Sequence, residues 1–338
     1  MKGKLLSISL ICLAFLITVL TVGCQEQEDD GLITVRLNEV VRSIFYAPQY
    51  VALEKGFFED EGLRIVLSVG QGADRSMTAL IAGEADIALL GTEAGIYVYI
   101  EGRADYAKAF AQLTQRAGNY LVARESSDNF SWEQVRGKSI IGGRIGGMPQ
   151  MILEYVLYQN GIIPGQDVEI ITNLQFASTA GAFAGGIGDF TAEFDPSALA
   201  LEQSGHGHVV AALGAESGYV PYTVYMALGS YIERNPEIIQ RFTNAIYRGQ
   251  RWVANHTSRQ IAEVVHPYFR ESTIDELEVM ISRYKEQGVW RADPMFDKDA
   301  FEQLQNIMEH GGMLQRRVAF ESLIDPRFAE QAVLQDAR

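Results

Sequence analysis

Short apolar strand patterns alternate with helical patterns along most of this 338-residue chain. Residues 33–40 have a strand pattern, residues 48–55 are helical with Gly56 as the stop, and residues 63–69 alternate again. Residues 85–90 are almost continuously apolar, as a parallel strand buried on both faces requires. Repeated alternation of this kind predicts an α/β fold in which helices cross over between neighbouring strands of a sheet.

Two polar, turn-rich stretches interrupt the alternation. They are ESSDN at 125–129 and GAESGYVP at 214–221, and the strand–helix pattern restarts between them. A lobe inserted into another lobe leaves two crossing segments and a cleft between the lobes, and such clefts are preferred ligand sites. The sequence therefore predicts a discontinuous first lobe that ends in helices and a second lobe inserted into it, at residues 33–124 with 218–338 and at residues 125–217.

The amino terminus has the pattern of a secretory signal. Lys2 and Lys4 precede a long apolar run. The letters LTVGC at its end resemble a bacterial lipobox, in which the cysteine becomes the lipidated new N-terminus, although Thr21 stands where leucine is usual. We expect a lipoprotein signal peptide at residues 1–23 and lipidation at Cys24. The alternative is a membrane-spanning anchor, since about 18 apolar residues can just span a bilayer.

Cysteine content and charge exclude several function classes. A polar tether is predicted at residues 24–32, and the other cysteine, Cys12, lies in the signal. The folded part then has no thiol for a disulfide, a nucleophile or a metal site. The formal net charge of −15, with no basic stripe, argues against a nucleic-acid partner. We expect an extracytoplasmic, lipid-anchored bacterial protein that is monomeric and needs no cofactor.

Three segments resemble a known family. They are YAPQYVALEKGFFEDEGL, MTALIAGEADIALLGTEA and GKSIIGGRIGGMP. These segments are similar to the solute-binding proteins of ABC transporters for thiamine-pyrimidine precursors, sulfonates and nitrate, and the similarity runs from about residue 35 to the last helices. It implies a two-lobed type II periplasmic-binding-protein fold, a ligand enclosed between the lobes by hinge closure, and delivery of that ligand to ABC permease subunits.

Five aromatic residues follow predicted strand ends or lie on the return crossing. Any single aromatic is more often part of a core, but five at the cleft edge are less easily explained in that way. Flat rings between lobes suit stacking on a heterocycle. We expect Phe45, Tyr46, Phe176, Phe194 and Tyr222 to converge on the cleft, with Phe45, Tyr46, Phe176 and Tyr222 in contact with a planar ligand that carries amino or carbonyl groups. The family resemblance implies that this ligand is similar to a thiamine-pyrimidine precursor.

Carboxylates at strand ends are candidates for accepting hydrogen bonds from the ligand. Glu93 follows one buried strand, and Glu193 ends another strand where an apolar residue would be preferred. For Glu193 the resemblance adds that some pyrimidine-binding relatives place an acidic residue near this point. For Asp195, just before Pro196, we expect an N-cap of the next helix instead.

The glycine-rich turn GGRIGGMP follows a strand and opens a helix. Its backbone N–H groups could hold an acceptor at the helix amino end, although glycines also permit a tight turn with no ligand. We expect ligand contacts from Arg144, Gly146 and Gly147 here, and from Gly72 and Thr114 on other cleft loops.

Other interpretations stay open at this point. The same fold could bind a sulfonate, nitrate or another small anion, or a riboflavin-type ligand. A pyrimidine-synthesising enzyme resembles these binders but relies on a cysteine-rich motif, so we expect no enzyme. A ligand-sensing domain would need a further module, which we do not find. His206 and His208 lack a third ligand nearby, so no metal site is expected.

Overall fold

The computed structural model of this protein describes residues 31–127 and 129–336. The predicted signal at residues 1–23, the predicted lipidation site Cys24 and nearly all of the predicted tether lie outside the described residues. Within the described ranges, no helix combines the length and the apolar character needed to cross a membrane.

In the part of the chain that the structure describes, ten strands form two five-stranded sheets, one in each lobe. The first sheet consists of β1 (Ile33–Glu39), β2 (Leu63–Val69), β3 (Ile87–Gly91), β4 (Ala107–Thr114) and β10 (Thr223–Leu228) in the order β2-β1-β3-β10-β4. The second consists of β5 (Tyr120–Ala123), β6 (Ser139–Ile141), β7 (Glu169–Ile171), β8 (Phe190–Glu193) and β9 (His208–Ala212) in the order β7-β6-β8-β5-β9. The predicted two-lobed α/β architecture is therefore present.

Both sheets are built on one plan. The strands β2, β1 and β3 are parallel, and so are β7, β6 and β8. The single reversed strand in each sheet comes directly after a crossing between lobes: β5 after the first crossing and β10 after the second. The carboxyl ends of the parallel strands in both sheets therefore open toward the space between the lobes.

The strand β5 lies on the second sheet, where it pairs with β8 and β9. The expected division placed these residues in the first lobe, since it put the boundary at residue 124. All four residues of β5 are buried. A four-residue run with no polar alternation has no period that distinguishes it from the strand before it, so the sequence pattern did not separate the two.

The two crossings run side by side and are hydrogen-bonded to each other. The N–H of Tyr222 donates to the carbonyl of Thr114 at 3.1 Å, and the N–H of Val220 donates to that of Gln115 at 3.0 Å. At Gly214 the crossings are so close that a Cβ would lie 2.0 Å from the carbonyl oxygen of Ala117. This paired ribbon joins the lobes and is the candidate hinge.

Helices cover the sheets and complete the first lobe. Local signals mark several ends of the helices Pro236–Asn255, Ser258–Val265 and Ile274–Gln287, namely capping boxes, a proline and a terminal glycine. The α-helices are Ala47–Glu54, Phe57–Asp60, Ala73–Ile81, Thr92–Ile100, Met148–Gln159, Thr179–Ala184, Ser197–Gln203, Leu213–Ser217, Gly229–Arg234, Pro236–Asn255, Ser258–Val265, Ile274–Gln287, Lys298–His310, Phe320–Leu323 and Arg327–Asp336.

Candidate functional site

A cavity of about 560 Å³ lies between the lobes. The first lobe contributes residues that follow the carboxyl ends of β1, β2 and β3, and the second contributes residues that follow β6, β7 and β8. Tyr222, on the second crossing, completes the wall. The cavity thus occupies the place where an α/β sheet normally holds its ligand, and its volume suits a small organic molecule.

The five aromatic residues predicted at the cleft line this cavity together. The ring of Phe45 lies 5.7 Å from that of Tyr46, 5.4 Å from Phe194 and 5.6 Å from Tyr222, measured between centroids. The ring of Phe176 lies 5.8 Å from that of Phe194. These spacings are those of packed aromatic pairs. The convergence that the loop positions predicted is therefore present.

The aromatic pair after β1, Phe45 and Tyr46, is buried. Phe45 is 1 % exposed and Tyr46 is 4 % exposed, because the second lobe and the hinge cover them. A Cβ at Gly118 would lie 2.4 Å from the Phe45 ring, and the indole N–H of Trp290 donates to the Phe45 carbonyl at 2.8 Å. Phe45 is thereby fixed between the hinge and the cavity.

Glu93 is the buried carboxylate of the cavity wall. It is only 2 % exposed and has an Oε2 atom with no hydrogen-bond partner among the described residues. Its side chain lies over Gly91, where a Cβ would be 2.0 Å from that oxygen, so a larger residue at position 91 would displace the Glu93 carboxylate. Burial raises the pKa of Glu93 to about 7, and the nearby N–H groups of Met148 and Ala94 act in the opposite direction.

Three tyrosines surround the Glu93 carboxylate. Burial raises the pKa of Tyr46, Tyr97 and Tyr222, and the negative charge of Glu93 raises each of them further. The hydroxyl of Tyr222 is buried and has no hydrogen-bond partner among the described residues. An unpaired buried hydroxyl costs about 1–3 kcal/mol. This end of the cavity is polar, whereas Met77, Ile81 and other apolar side chains line its other walls.

The glycine-rich turn closes on the first lobe. The Arg144 guanidinium donates to both carboxylate oxygens of Asp74 at 3.0 Å each, and the Tyr97 hydroxyl donates to the Gly146 carbonyl at 2.9 Å. Gly146 has a φ of 75°, in the left-handed region that favours glycine. We name these two contacts the clasp, since both join one lobe to the other.

The backbone N–H groups of this turn are already used. Gly146 donates to the Gln150 side-chain oxygen at 2.8 Å, and Gly147 donates to the Arg144 carbonyl at 3.2 Å. Arg144, Gly146 and Gly147 all line the cavity as predicted, and so does Gly72. The expected hydrogen bonds from the Gly146 and Gly147 amides to a ligand acceptor are therefore not available in this conformation.

Thr114 and Glu193 are the predicted site residues that do not belong to the described cavity wall. The hydroxyls of Thr114 and Thr223 share a hydrogen bond of 2.6 Å. The Glu193 carboxylate accepts from the hydroxyls of Thr191 at 2.7 Å and Thr179 at 3.1 Å. Burial raises the pKa of Glu193 to about 7. The polar side chain at the end of β8 is thus satisfied within its own lobe.

Asp195 lies one residue before the N-cap of Ser197–Gln203, which is Pro196, so the N-cap prediction is wrong by one position. Its Oδ1 atom accepts from the Leu199 N–H at 3.1 Å, in the first turn of Ser197–Gln203. Burial raises its pKa to about 6, and Arg283, at 3.8 Å, acts in the opposite direction. No group of three potential metal ligands forms within residues 31–127 and 129–336.

Sequence reasoning missed Tyr97 and Asp74 as wall residues. A signal for Tyr97 was present, because it lies four residues after Glu93 on Thr92–Ile100 and residues so spaced share a helix face. Asp74 lies two residues after Gly72 on a loop expected at the cleft, but its pairing with Arg144 had no local signal, since the two residues are 70 positions apart.

Comparison with known proteins gives matches in both sequence and structure. Residues 44–259 match the family model described as NMT1/THI5 like. The chain is 41% identical over 329 residues to a protein of Bacillus subtilis (strain 168) that carries the provisional name binding protein YtlA, covering 97% of this chain and 98% of that one.

Solved structures with low sequence identity show the fold. The alkanesulfonate-binding protein SsuA from Xanthomonas axonopodis pv. citri, bound to MOPS, has a TM-score of 0.71 at 15% identity, covering 87% of this chain and 98% of that one. The desulfurization enzyme DSZB has a TM-score of 0.62 at 15% identity, covering 90% and 99%. These likenesses confirm the two-lobed periplasmic-binding-protein fold, and a fold shared by a binder and an enzyme leaves function to be argued from the site.

Proposed function

Because the chain belongs to the NMT1/THI5-like family, we propose that it is an extracytoplasmic solute-binding protein that delivers a small planar heterocycle to an ABC importer. The observation that supports this best is the cavity between the lobes, enclosed by aromatic rings and holding a buried carboxylate with a free oxygen. Apolar walls with a few placed polar groups are the usual form of a small-molecule site.

The ring-lined walls and the polar end have different roles. Phe45, Tyr46, Phe194 and Tyr222 present faces and edges on which a flat ligand can stack, and each such contact contributes about 0.5–1.5 kcal/mol beyond area burial. The Glu93 carboxylate accepts from N–H groups of the ligand, and the Tyr222 hydroxyl is free to donate to or accept from it. A heterocycle with N–H groups along one edge satisfies both.

Capture proceeds by hinge closure about the paired crossings. In an open form the lobes separate, the clasp is broken, and a solute can enter against Phe45 and Tyr46. Closure forms the pairs Arg144–Asp74 and Tyr97–Gly146 and brings Met148 close to Glu93. A solute that contacts both lobes stabilises the closed form by its differential affinity for that form, and the permease recognises the closed form.

Lipid attachment at Cys24 and removal of residues 1–23 complete the proposal. A polar tether of a few residues would hold the lobes near the membrane surface, within reach of permease subunits. We propose that the protein acts as a monomer and performs no chemical step, since capture and release need only reversible contacts of the cavity wall.

A thermal-shift panel tests this function. Protein that lacks residues 1–24 is unfolded in denaturant and refolded to remove bound solute, then melted with aminopyrimidines, flavins, alkanesulfonates and inorganic oxyanions. We expect stabilisation by one or more heterocycles. Stabilisation by a sulfonate or nitrate, with none by any heterocycle, would contradict the planar-ligand proposal and favour the anion alternative.

A further inference from the structure

The charged side chains of the described cavity wall are mostly acidic. Asp74, Glu93 and Glu101 are its carboxylates, and Arg144 is its only cationic side chain. Arg144 is held by both oxygens of Asp74. The one basic side chain of the described wall is therefore already paired with a carboxylate, while the Glu93 carboxylate has an oxygen with no partner among the described residues.

Glu93 also lies at the amino ends of two helices. It is in the first turn of Thr92–Ile100, and the Met148 N–H that lies near its carboxylate opens Met148–Gln159. Unpaired N–H groups at such ends attract anions. Here the protein supplies the anion itself. An oxyanion entering the cavity would meet a buried carboxylate at this point rather than free N–H groups.

The aromatic rings of the cavity wall also favour a positively charged solute. The rings of Phe45, Tyr46, Phe194 and Tyr222 lie within 5.4–6.4 Å of one another in neighbouring pairs. The negative face of an aromatic ring attracts a cation within about 6 Å, and more strongly when water is excluded. Both the rings and the carboxylate therefore act on a cation attractively.

We propose that this cavity selects planar solutes that carry a positive charge on an amidinium-like or protonated amino edge, and that Glu93 is the residue that rejects sulfonates and other oxyanions. This inference rests on the proposed function as a solute-binding protein and adds the charge of the solute. The ligand edge pairs with the free Oε2 atom, since charge-assisted hydrogen bonds are about twice as strong as neutral ones.

Three probes that share a benzene ring and differ in charge test the proposal. They are benzamidine, benzamide and benzenesulfonate, which are cationic, neutral and anionic. Binding is measured by calorimetry and thermal shift at about pH 8, where a carboxyl with a pKa of about 7 is mostly ionised. We expect benzamidine to bind about tenfold or more tightly than benzamide, and benzenesulfonate to give no shift.

Two matched variants locate the selectivity. Glu93→Gln keeps the shape and removes the charge, so benzamidine and benzamide should bind with similar affinity. Glu193→Gln removes an equally buried carboxylate whose pKa is also about 7 but whose oxygens are held by two threonine hydroxyls outside the cavity wall. It should leave the wild-type ratio unchanged. Melting curves of both variants confirm that each is folded.

Several results would overturn the charge inference. They are no stabilisation of the wild type by benzamidine, binding of benzenesulfonate as tight as that of benzamidine, or an unchanged affinity ratio in folded Glu93→Gln. The thermal-shift panel separates this failure from failure of the proposed function. If a neutral or anionic heterocycle binds there, the solute-binding proposal stands and only the charge inference falls.

Discussion

Replacing Glu93 by glutamine should change how the stability of the protein depends on pH. The carboxyl is buried, and its pKa rises from 4.5 to about 7 on folding. At about 1.4 kcal/mol for each pH unit, this rise corresponds to about 3 kcal/mol. Ionisation of Glu93 in the folded state lowers the free energy of unfolding by this amount, because the buried carboxylate has fewer hydrogen-bond partners than it has in water.

The sign follows from proton binding in the two states. Below about pH 4.5 the carboxyl is protonated in both the folded and the unfolded chain, so it does not affect the stability difference. Between about pH 4.5 and 7 the folded chain binds more protons, so the free energy of unfolding falls as the pH rises. Burial also raises the pKa values of Glu39 and Glu193 to about 7. These two residues are present in both the wild type and Glu93→Gln, so their effect on stability is common to the two proteins.

The assay is urea unfolding followed by circular dichroism at about pH 5 and about pH 8, on protein refolded to remove solute. The stability of Glu93→Gln relative to the wild type should rise by about 2.5 kcal/mol from the lower to the higher pH, since part of the effect is already present at about pH 5. The groups that face Glu93 are the hydroxyls of Tyr46, Tyr97 and Tyr222, which remain protonated across this range.

The exposed Glu101 on the wall serves as control, because its replacement by glutamine removes a charge that stays in water. Glu101→Gln should show no such change. If the free energies of unfolding of Glu93→Gln and the wild type differ by the same amount at both pH values, burial does not raise the pKa of Glu93 and the reasoning is refuted.

The remaining predictions concern the clasp, the buried ring of Phe45 and the lipid anchor at Cys24. Arg144→Gln breaks the ion pair with Asp74, in which the Arg144 side chain is 39 % exposed and the Asp74 side chain 58 % exposed. Solute should therefore dissociate up to about fivefold faster, equivalent to about 1 kcal/mol. An unchanged dissociation rate in stopped flow would mean that the clasp does not stabilise the closed form. Phe45→Ala empties a buried site between hinge and cavity and should lower the free energy of unfolding by about 3–5 kcal/mol; a loss below about 1 kcal/mol would mean that the ring is not a packing element. Cys24→Ser should release the protein from the membrane fraction of the host into the soluble one, and a variant that stays with the membrane would favour the uncleaved anchor.

Much of the fold could be predicted because its signals are local. The strand Leu63–Val69 alternates in the sequence, and Ile274–Gln287 begins with a threonine–glutamate capping box and ends at a glycine in the left-handed conformation. The strand β5 was placed in the wrong lobe, because pairing with β8 and β9 is decided by the hinge and not by its four residues.

The site could be predicted only in part, for a related reason. Loops after parallel strands meet at one edge of a sheet, so the chain order placed Phe45 and Glu93 at the cleft edge of the first sheet and Phe176 at that of the second. The roles of polar groups depend on their partners, which come from distant parts of the chain. Arg144 forms an ion pair with Asp74, and Glu193 accepts a hydrogen bond from the Thr179 hydroxyl; neither pairing leaves a trace in local sequence.

Native mass spectrometry tests the central claim most directly. The protein without residues 1–24 is expressed in a bacterial host, purified without denaturant, and its small-molecule content is identified after release in solvent. The account predicts one solute per chain that is planar, heterocyclic and cationic or rich in N–H groups, and Glu93→Gln should retain less of it than Glu193→Gln. Recovery of an alkanesulfonate or an inorganic oxyanion in stoichiometric amount would contradict the account.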